Sequence, residues 1–149
     1  MSKNEIERFF TNLRISGYSI TSPETSEYNC IAWAAWDSEA WWWPDAQHLY
    51  YWPPEITRTE TLEAFIKAFE IFGYRVCNSI AYEEGFEKVA IYIDTHGKPT
   101  HAARQLSSGN WTSKLGQLED IEHSKLDDIT GLQYGSVGVI MKRLKKPVL

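Results

Sequence analysis

The 149-residue chain has few cysteines, and the two it has, Cys30 and Cys77, lie far apart in the sequence. This count is too small for a disulfide framework and is typical of a reducing compartment. No apolar run approaches the length that crosses a membrane, and the charged N-terminus is not followed by the apolar stretch of a signal peptide. We therefore expect a cytoplasmic protein without a membrane partner.

Positive charge is also scarce, since 15 Lys and Arg face 20 Asp and Glu, for a formal net charge of −5. A general nucleic-acid binder needs clustered positive charge to meet the phosphates, so we expect no nucleic-acid partner. The cysteines and the four histidines lack the close spacing of metal ligands, which predicts no metal site. No glycine-rich loop leads from a strand into a helix, so we expect no nucleotide and no other cofactor.

Aromatic side chains are abundant, with 7 Trp, 8 Tyr and 6 Phe. Many lie in one segment, where residues 41–44 read WWWP and residues 50–54 read YYWPP. The prolines exclude a long regular element, so this segment is expected to be an irregular loop. It either packs on the core or forms the wall of a substrate groove, in which Trp42, Trp43 and Trp52 stack on a sugar or a peptide.

Hydrophobic periodicity predicts one amphipathic helix over residues 4–13 and a second that begins at a capping box over residues 57–60 and ends at Gly73. From Lys88 the period changes to two, which predicts a meander of strands over residues 88–94, 100–106 and 111–115. A strand is also expected at residues 74–77, a connection at 18–27, a short helix at 120–126 and a last strand at 134–141, whose glycines mark a bulge or a close backbone approach. These elements predict a single α+β domain over residues 1–149.

The segment 28–36, with the sequence YNCIAWAAW, predicts a buried helix that begins at a cysteine. Asn29 is expected to be its N-cap, because an asparagine side chain accepts a backbone N–H left unpaired in the first turn. A thiol in that turn feels the positive end of the helix dipole, which favours the thiolate. Cys30 is therefore a candidate nucleophile, while inert packing is the common role of a lone cysteine in an apolar helix.

The candidate partner for this thiol is His101, at the start of the second strand of the meander. Strand alternation places His101 on the same face as Ala103 and Gln105. A polar strand residue at a sheet edge is an equally good interpretation of this histidine. His96 is expected in an exposed turn, whereas His123, like His48, is expected at the surface or with its hydrogen bonds satisfied.

The order of these parts resembles the papain-like cysteine hydrolases, and within them the compact NlpC-type and CHAP-type amidases and peptidases of bacteria. The resemblance rests on Asn29 and Cys30 at the helix start, on the string PTHAA at 99–103 and on the next strand at 110–114, so that it covers about residues 28–115. The whole chain is also similar to small uncharacterised bacterial proteins that share the strings NCIAWA, WWWP, THAARQ and WTSKLG.

This resemblance implies a papain-like fold, with N-terminal helices packed on an antiparallel β-meander. It also implies a metal-independent thiol hydrolase, an amidase or peptidase that acts on a peptide or glycopeptide. Cys30 would be the nucleophile, His101 its general base, and Ser113 the residue that orients the imidazole. Asn110 and Asp120 are rival candidates for that third role.

In the same scheme, the Cys30 backbone N–H would hold the oxyanion, helped by the side chain of Asn29 or by the hydroxyl of Tyr28 or Tyr18. The chain departs from the NlpC-type pattern, which has Asp before the cysteine and a small polar residue where Ile31 stands. Two alternatives to a hydrolase therefore stay open. One is an acyl or peptidyl transferase with the same pair, and the other is a catalytically silent binding module that uses the tryptophan-rich loop.

Overall fold

The computed structural model describes residues 3–115, 117 and 119–145. The helices are α1 (Lys3–Phe9), α2 (Thr11–Ser16), α3 (Cys30–Ala34) and α4 (Leu62–Ile71), and a short 3-10 helix spans Leu126–Ile129. The strands are β1 (Ser19–Ser22), β2 (Arg75–Cys77), β3 (Phe86–Ile93), β4 (Pro99–Gln105), β5 (Trp111–Lys114), β6 (Asp120–His123) and β7 (Ser136–Leu144).

All seven strands belong to one antiparallel sheet with the order β1-β6-β5-β4-β3-β7-β2. The meander of β3, β4 and β5 is as predicted, and the mixed α+β class is confirmed. The last and longest strand, β7, lies between β3 and β2. It pairs with β3 on the side opposite to β4. Within the described residues, no helix is long and apolar enough to cross a membrane.

The sheet separates two apolar layers, because alternate residues of each strand point to opposite faces. On what we call the α3 face, Val89 and Ile91 pack with residues of α3 and α4. On what we call the α1 face, Ala90 and Tyr92 pack with residues of α1, α2 and the 3-10 helix. Each strand residue is therefore assigned to one of two separate environments.

Two helix predictions are corrected in their details. The first predicted helix is broken at Phe10, whose backbone lies outside the helical region (φ −128°, ψ 78°), so that α1 and α2 are separate. The second helix begins later than the capping box suggested, since Thr61 is its N-cap and accepts the Ala64 N–H. Most of the predicted apolar side chains, including Ile6 and Phe65, are in the core, but Phe9 is 41% exposed, which corrects its expected place on the apolar face.

Two other predictions are wrong. Residues 120–123 form β6 rather than a helix, because they pair along β5 and bury Ile121 against the α1 face. Residues 18–27 are not merely a connection, because they contain the edge strand β1, which pairs with β6. The short length and exposed side chains of β1 gave little periodicity to detect.

The glycines near the start of β7 meet the expected close backbone approach. Gly135 has φ +73°, and a Cβ at this position would collide with the carbonyl oxygen of Ile93. A Cβ on Gly138 would lie 2.9 Å from the Ile93 side chain. The pairing of β3 with β7 also shifts register between Ile91 and Tyr92, so both expected features occur together.

Candidate functional site

Asn29 caps α3 as predicted, and it also fastens the helix to the tryptophan-rich segment. Its Oδ1 accepts the Ala32 N–H at 3.1 Å and the Trp42 N–H at 3.0 Å, while its Nδ2 donates to the Trp42 carbonyl at 2.6 Å. The side-chain amide is thus occupied by three backbone groups. It has a structural role here, and the expected contribution to an oxyanion site is not supported.

Cys30 is the first residue of α3 and is buried, with 6% of its surface exposed. Burial raises the pKa of its thiol to about 11, although the backbone N–H groups of Ala102 and Ile31 and the charge of Lys114 act in the opposite direction. At neutral pH the thiol is therefore protonated, since desolvation outweighs the helix start.

His101 lies on the α1 face of β4. It is the cross-strand partner of Tyr92, and its ring also stacks on that of Tyr134 with centroids 4.1 Å apart. The ring is fully buried, and neither of its nitrogens has a hydrogen-bond partner within the part of the chain that the structure describes. Burial, and after it the charge of His123, lowers the pKa of His101 well below its usual value, so the imidazole is neutral.

The structure does not bring Cys30 and His101 together. Ala102 follows His101 in β4 and packs in the same cluster as Cys30 on the α3 face. Adjacent strand residues point to opposite faces, so His101 is directed away from the thiol. The predicted nucleophile and base are separated by the sheet, which corrects the expectation of a catalytic pair.

The candidates for the third catalytic role are also engaged elsewhere. Ser113 shares the α1 face, but its hydroxyl lies 2.8 Å from Nε2 of His123. Asn110 donates to Glu122. No hydrogen bond joins any of them to His101 within the described residues.

The pair of Ser113 and His123 was not anticipated from the sequence. Nδ1 of His123 lies 2.9 Å from the carbonyl oxygen of Lys125, which can only accept, so Nδ1 carries the proton and Nε2 accepts the Ser113 hydroxyl. Both side chains are buried in the core. The pair satisfies two polar groups there, and the expectation of a surface His123 is replaced by the second option, a histidine with satisfied hydrogen bonds.

The tyrosines proposed for the oxyanion site have other roles. The Tyr28 hydroxyl donates to Oδ2 of Asp120 at 2.6 Å, and the Ser22 hydroxyl donates to the same oxygen at 2.7 Å. Burial and the bond to Asp120 raise the pKa of Tyr28 to about 12. Tyr18 packs against the cluster on the α1 face, on the other side of the sheet from Cys30.

We call residues 41–54 the aromatic loop. Trp42 and Trp52 are buried in the core of the α3 face, where the Trp52 ring contacts Phe65 and the Trp42 ring contacts Phe72. Trp43 is half-buried against the edge of Phe65. Packing on the core is therefore the role of Trp42 and Trp52, and the alternative in which they stack on a ligand is not supported.

Polar contacts hold the rest of the aromatic loop in place. Asp45 accepts the N–H groups of Leu49 and Tyr50, and it forms a 3.0 Å ion pair with Arg58. Arg58 also donates to the Tyr50 carbonyl at 3.0 Å. This network fixes the tip of the loop, although the loop has no helix or long strand.

The outer surface of this fixed loop is apolar. Leu49 is 72% exposed, and Tyr50 and Tyr51 are each 43% exposed. Beside them lies a groove of about 370 Å³ that is lined by His48, Trp52, Pro53, Pro54, Ile56 and Arg58. The indole N–H of Trp52 is buried and has no acceptor among the described residues. The groove therefore combines apolar side chains with the polar groups of His48 and Arg58.

Comparison with known proteins gives one relationship. No curated protein and no solved structure matches the chain. A family described as a domain of unknown function, DUF7689, matches residues 19–142. The match includes all of the strands from β1 to β6, all of α3 and α4, the aromatic loop and most of β7. The chain therefore belongs to the DUF7689 family.

Proposed function

We propose that this chain is a binding module that holds an extended peptide on the outer surface of the aromatic loop. The observation that carries the proposal is a contrast within the loop. Trp42 and Trp52 anchor it in the core, while Leu49, Tyr50 and Tyr51 remain exposed. A surface that is already ordered loses little conformational entropy on binding, and tyrosine rings offer large contact areas.

The groove beside these rings favours a peptide over a sugar. Its walls include Pro53, Pro54 and Ile56, which can receive an apolar side chain of a peptide, beside the polar groups of His48 and Arg58. The Arg58 guanidinium at the groove can donate to a main-chain carbonyl of an extended peptide.

A papain-like thiol hydrolase or transferase is the second candidate. It is favoured by the position of Cys30, at an Asn29-capped helix start against an antiparallel sheet. Its base would have to act from the α3 face, where the charge of Lys114 influences the thiol and burial lowers the Lys114 pKa.

We also propose a cytoplasmic location, which is supported by the absence of a disulfide between Cys30 and Cys77.

The test is a screen of the full chain against an array of extended peptides, followed by titration of the retained peptides with tryptophan fluorescence. The double variant Leu49→Ser/Tyr50→Ser removes two exposed apolar side chains from the aromatic loop. The matched control is Leu132→Ser, because Leu132 is fully exposed outside this loop. We expect retained peptides to lose at least tenfold in affinity in the double variant and to bind Leu132→Ser unchanged.

Two results would contradict the proposal. One is an array without any retained peptide while oligosaccharides titrate the same fluorescence, which would assign the surface to sugars. The other is equal affinity in the double variant and in Leu132→Ser. Hydrolysis of an array peptide that is abolished by Cys30→Ala would support the second candidate instead.

A further inference from the structure

Arg104 is a buried cation at the centre of the sheet. It projects from β4 onto the α3 face and is 8% exposed. Its guanidinium carbon lies 4.1 Å from the ring centre of Trp33 and 3.7 Å from that of Trp36. Two indole rings therefore cover a charged group that would otherwise meet water or a carboxylate.

The hydrogen-bonding capacity of this guanidinium is only partly used. Nη1 donates to the Trp33 carbonyl at 3.0 Å, whereas Nε is buried without a partner. Among the described residues no carboxylate forms an ion pair with Arg104. The carboxylates of Asp120 and Glu87 act on the guanidinium only at longer range, so it lacks the direct ion pair that a buried charge normally has.

A second unused polar group lies in the same region. The Tyr74 hydroxyl is buried and has no hydrogen-bond partner of acceptable geometry among the described residues. Burial raises its pKa to about 12, and the nearby charges of Arg143 and Arg104 and the N–H of Trp36 act in the opposite direction. Tyr74 and Arg104 thus offer two unused donors to the same neighbourhood.

Trp36 forms the outer cover of this region. It follows the C-terminus of α3 and is 53% exposed, which contradicts its expected place in the core. Its φ of +67° is unusual for a bulky residue and indicates backbone strain. Because this exposed ring lies over the guanidinium, its displacement would open the Nε edge of Arg104 to a ligand.

We propose that Arg104 and Tyr74 form a binding site for a carboxylate group beneath Trp36. The Nε and Nη2 edge of a guanidinium matches a planar carboxylate through two parallel hydrogen bonds, and Nη1 is the nitrogen already used by the protein. The Tyr74 hydroxyl supplies a further donor to the bound oxygen. The site is separate from the aromatic loop, so it extends the proposed function and does not depend on it.

The experiment is a titration of the ¹⁵N-labelled full chain with sodium acetate at constant ionic strength, followed through the Arg104 Nε–H and the Trp36 indole N–H. Both signals should shift with one common saturating midpoint, and sodium chloride alone should not reproduce the shift. Tyr74→Phe keeps the ring against Phe69 and should weaken acetate binding about five- to tenfold. Arg75→Gln, at an exposed arginine of β2, is the matched control and should bind like the wild type.

Two sources of the carboxylate are separated by repeating the titration with a glutamate-containing peptide. Tighter binding of the peptide assigns the site to acidic peptides, and tighter binding of acetate assigns it to small free acids. The proposal is overturned if the shifts do not saturate, if chloride reproduces them, or if Tyr74→Phe and Arg75→Gln bind acetate alike.

Discussion

A step of one residue along β4 decides what surrounds a side chain. Ala102 packs against α3 with Cys30, while His101 is enclosed by Tyr92 and Tyr134 on the opposite face. The strict alternation of a strand makes these assignments exclusive. A histidine one position later in β4 would have pointed toward the thiol.

Asn29 links three backbone groups and is expected to be important for stability. Asn29→Ala removes the N-cap and both contacts with the Trp42 backbone, so the free energy of unfolding should fall by about 2 kcal/mol. Asn29→Asp keeps the accepting oxygen and loses only the donor, so its free energy of unfolding should lie between those of Asn29→Ala and the wild type. Urea unfolding measures both, and an unchanged midpoint in Asn29→Ala would contradict this role.

Gly135 is expected to tolerate no side chain. Gly135→Ala adds a Cβ that collides with the Ile93 carbonyl, in addition to the cost of a left-handed backbone. Gly97→Ala is the matched control, because its φ is +80° and its Cβ would meet open space. Unfolding curves should show a loss of about 1 kcal/mol for Gly97→Ala and a clearly larger loss for Gly135→Ala. Equal losses would mean that the close approach is not important.

At the scale of elements, the aromatic loop behaves as part of the core with an exposed outer side. Its prolines prevent regular structure, and buried rings replace the missing backbone pairing as the source of order. The bridge between Trp42 and Tyr51 is the one piece of β pairing within it. The loop is therefore held by its indoles and by the network around Asp45.

Substitutions in the aromatic loop should separate into two classes. Trp42→Ala leaves a cavity in the α3-face core and removes the bond from its indole N–H to Asp37, so it should destabilise the fold by about 3 to 5 kcal/mol. Tyr50→Ala, at an exposed ring, should change stability by less than about 1 kcal/mol. Urea unfolding of both variants provides the comparison. Similar values for the two would contradict the division into buried anchors and exposed rings.

Elements with a strong period were predictable, and elements that depend on partners were not. The helix α4 and the strands β3, β4 and β5 follow from periodicity alone. By contrast, β6 is a four-residue segment whose strand character comes from pairing with β5, which no local pattern records. The placement of β7 between β3 and β2 likewise depends on pairing between segments that are far apart in the sequence.

The candidate site shows the same limit. The start of α3 at Cys30 and the strand position of His101 were both predictable, because capping and alternation are local. Which face of β4 receives α3 is decided by packing between distant parts of the chain. The sequence pattern therefore assigned Cys30 to a helix start and His101 to a strand correctly. It did not show that the two side chains lie on opposite faces of the sheet.

At the scale of the whole molecule, the α1-face core contains two histidines that are neutral when folded. Burial lowers the pKa of both His101 and His123. In the unfolded chain each binds a proton below about pH 6.5. The unfolded state then holds more protons, so the free energy of unfolding falls as the pH falls below about 6.5.

Each histidine that stays neutral in the folded protein should lower the free energy of unfolding by about 1.4 kcal/mol for each pH unit below about 6.5. Urea unfolding between pH 5 and 6.5 isolates this effect, because Glu83 and Asp94, whose pKa values are lowered by Lys142 and by the Lys98 N–H, contribute only at lower pH. His101→Phe keeps the stacked ring and should reduce the slope, because the pKa of His101 lies well below its usual value. A slope that is unchanged in this variant would show that His101 is already protonated in the folded state.

The sheet separates Cys30 from His101, so the Cys30 thiol is buried and is not activated by the imidazole. Site-resolved labelling with iodoacetamide across pH tests this most directly, with the half-buried Cys77 as internal reference. We expect Cys30 to label more slowly than Cys77 at every pH below about 9, and His101→Phe to leave the labelling rate of Cys30 unchanged. Rapid labelling of Cys30 at neutral pH that is lost in His101→Phe would instead establish an activated pair of Cys30 and His101.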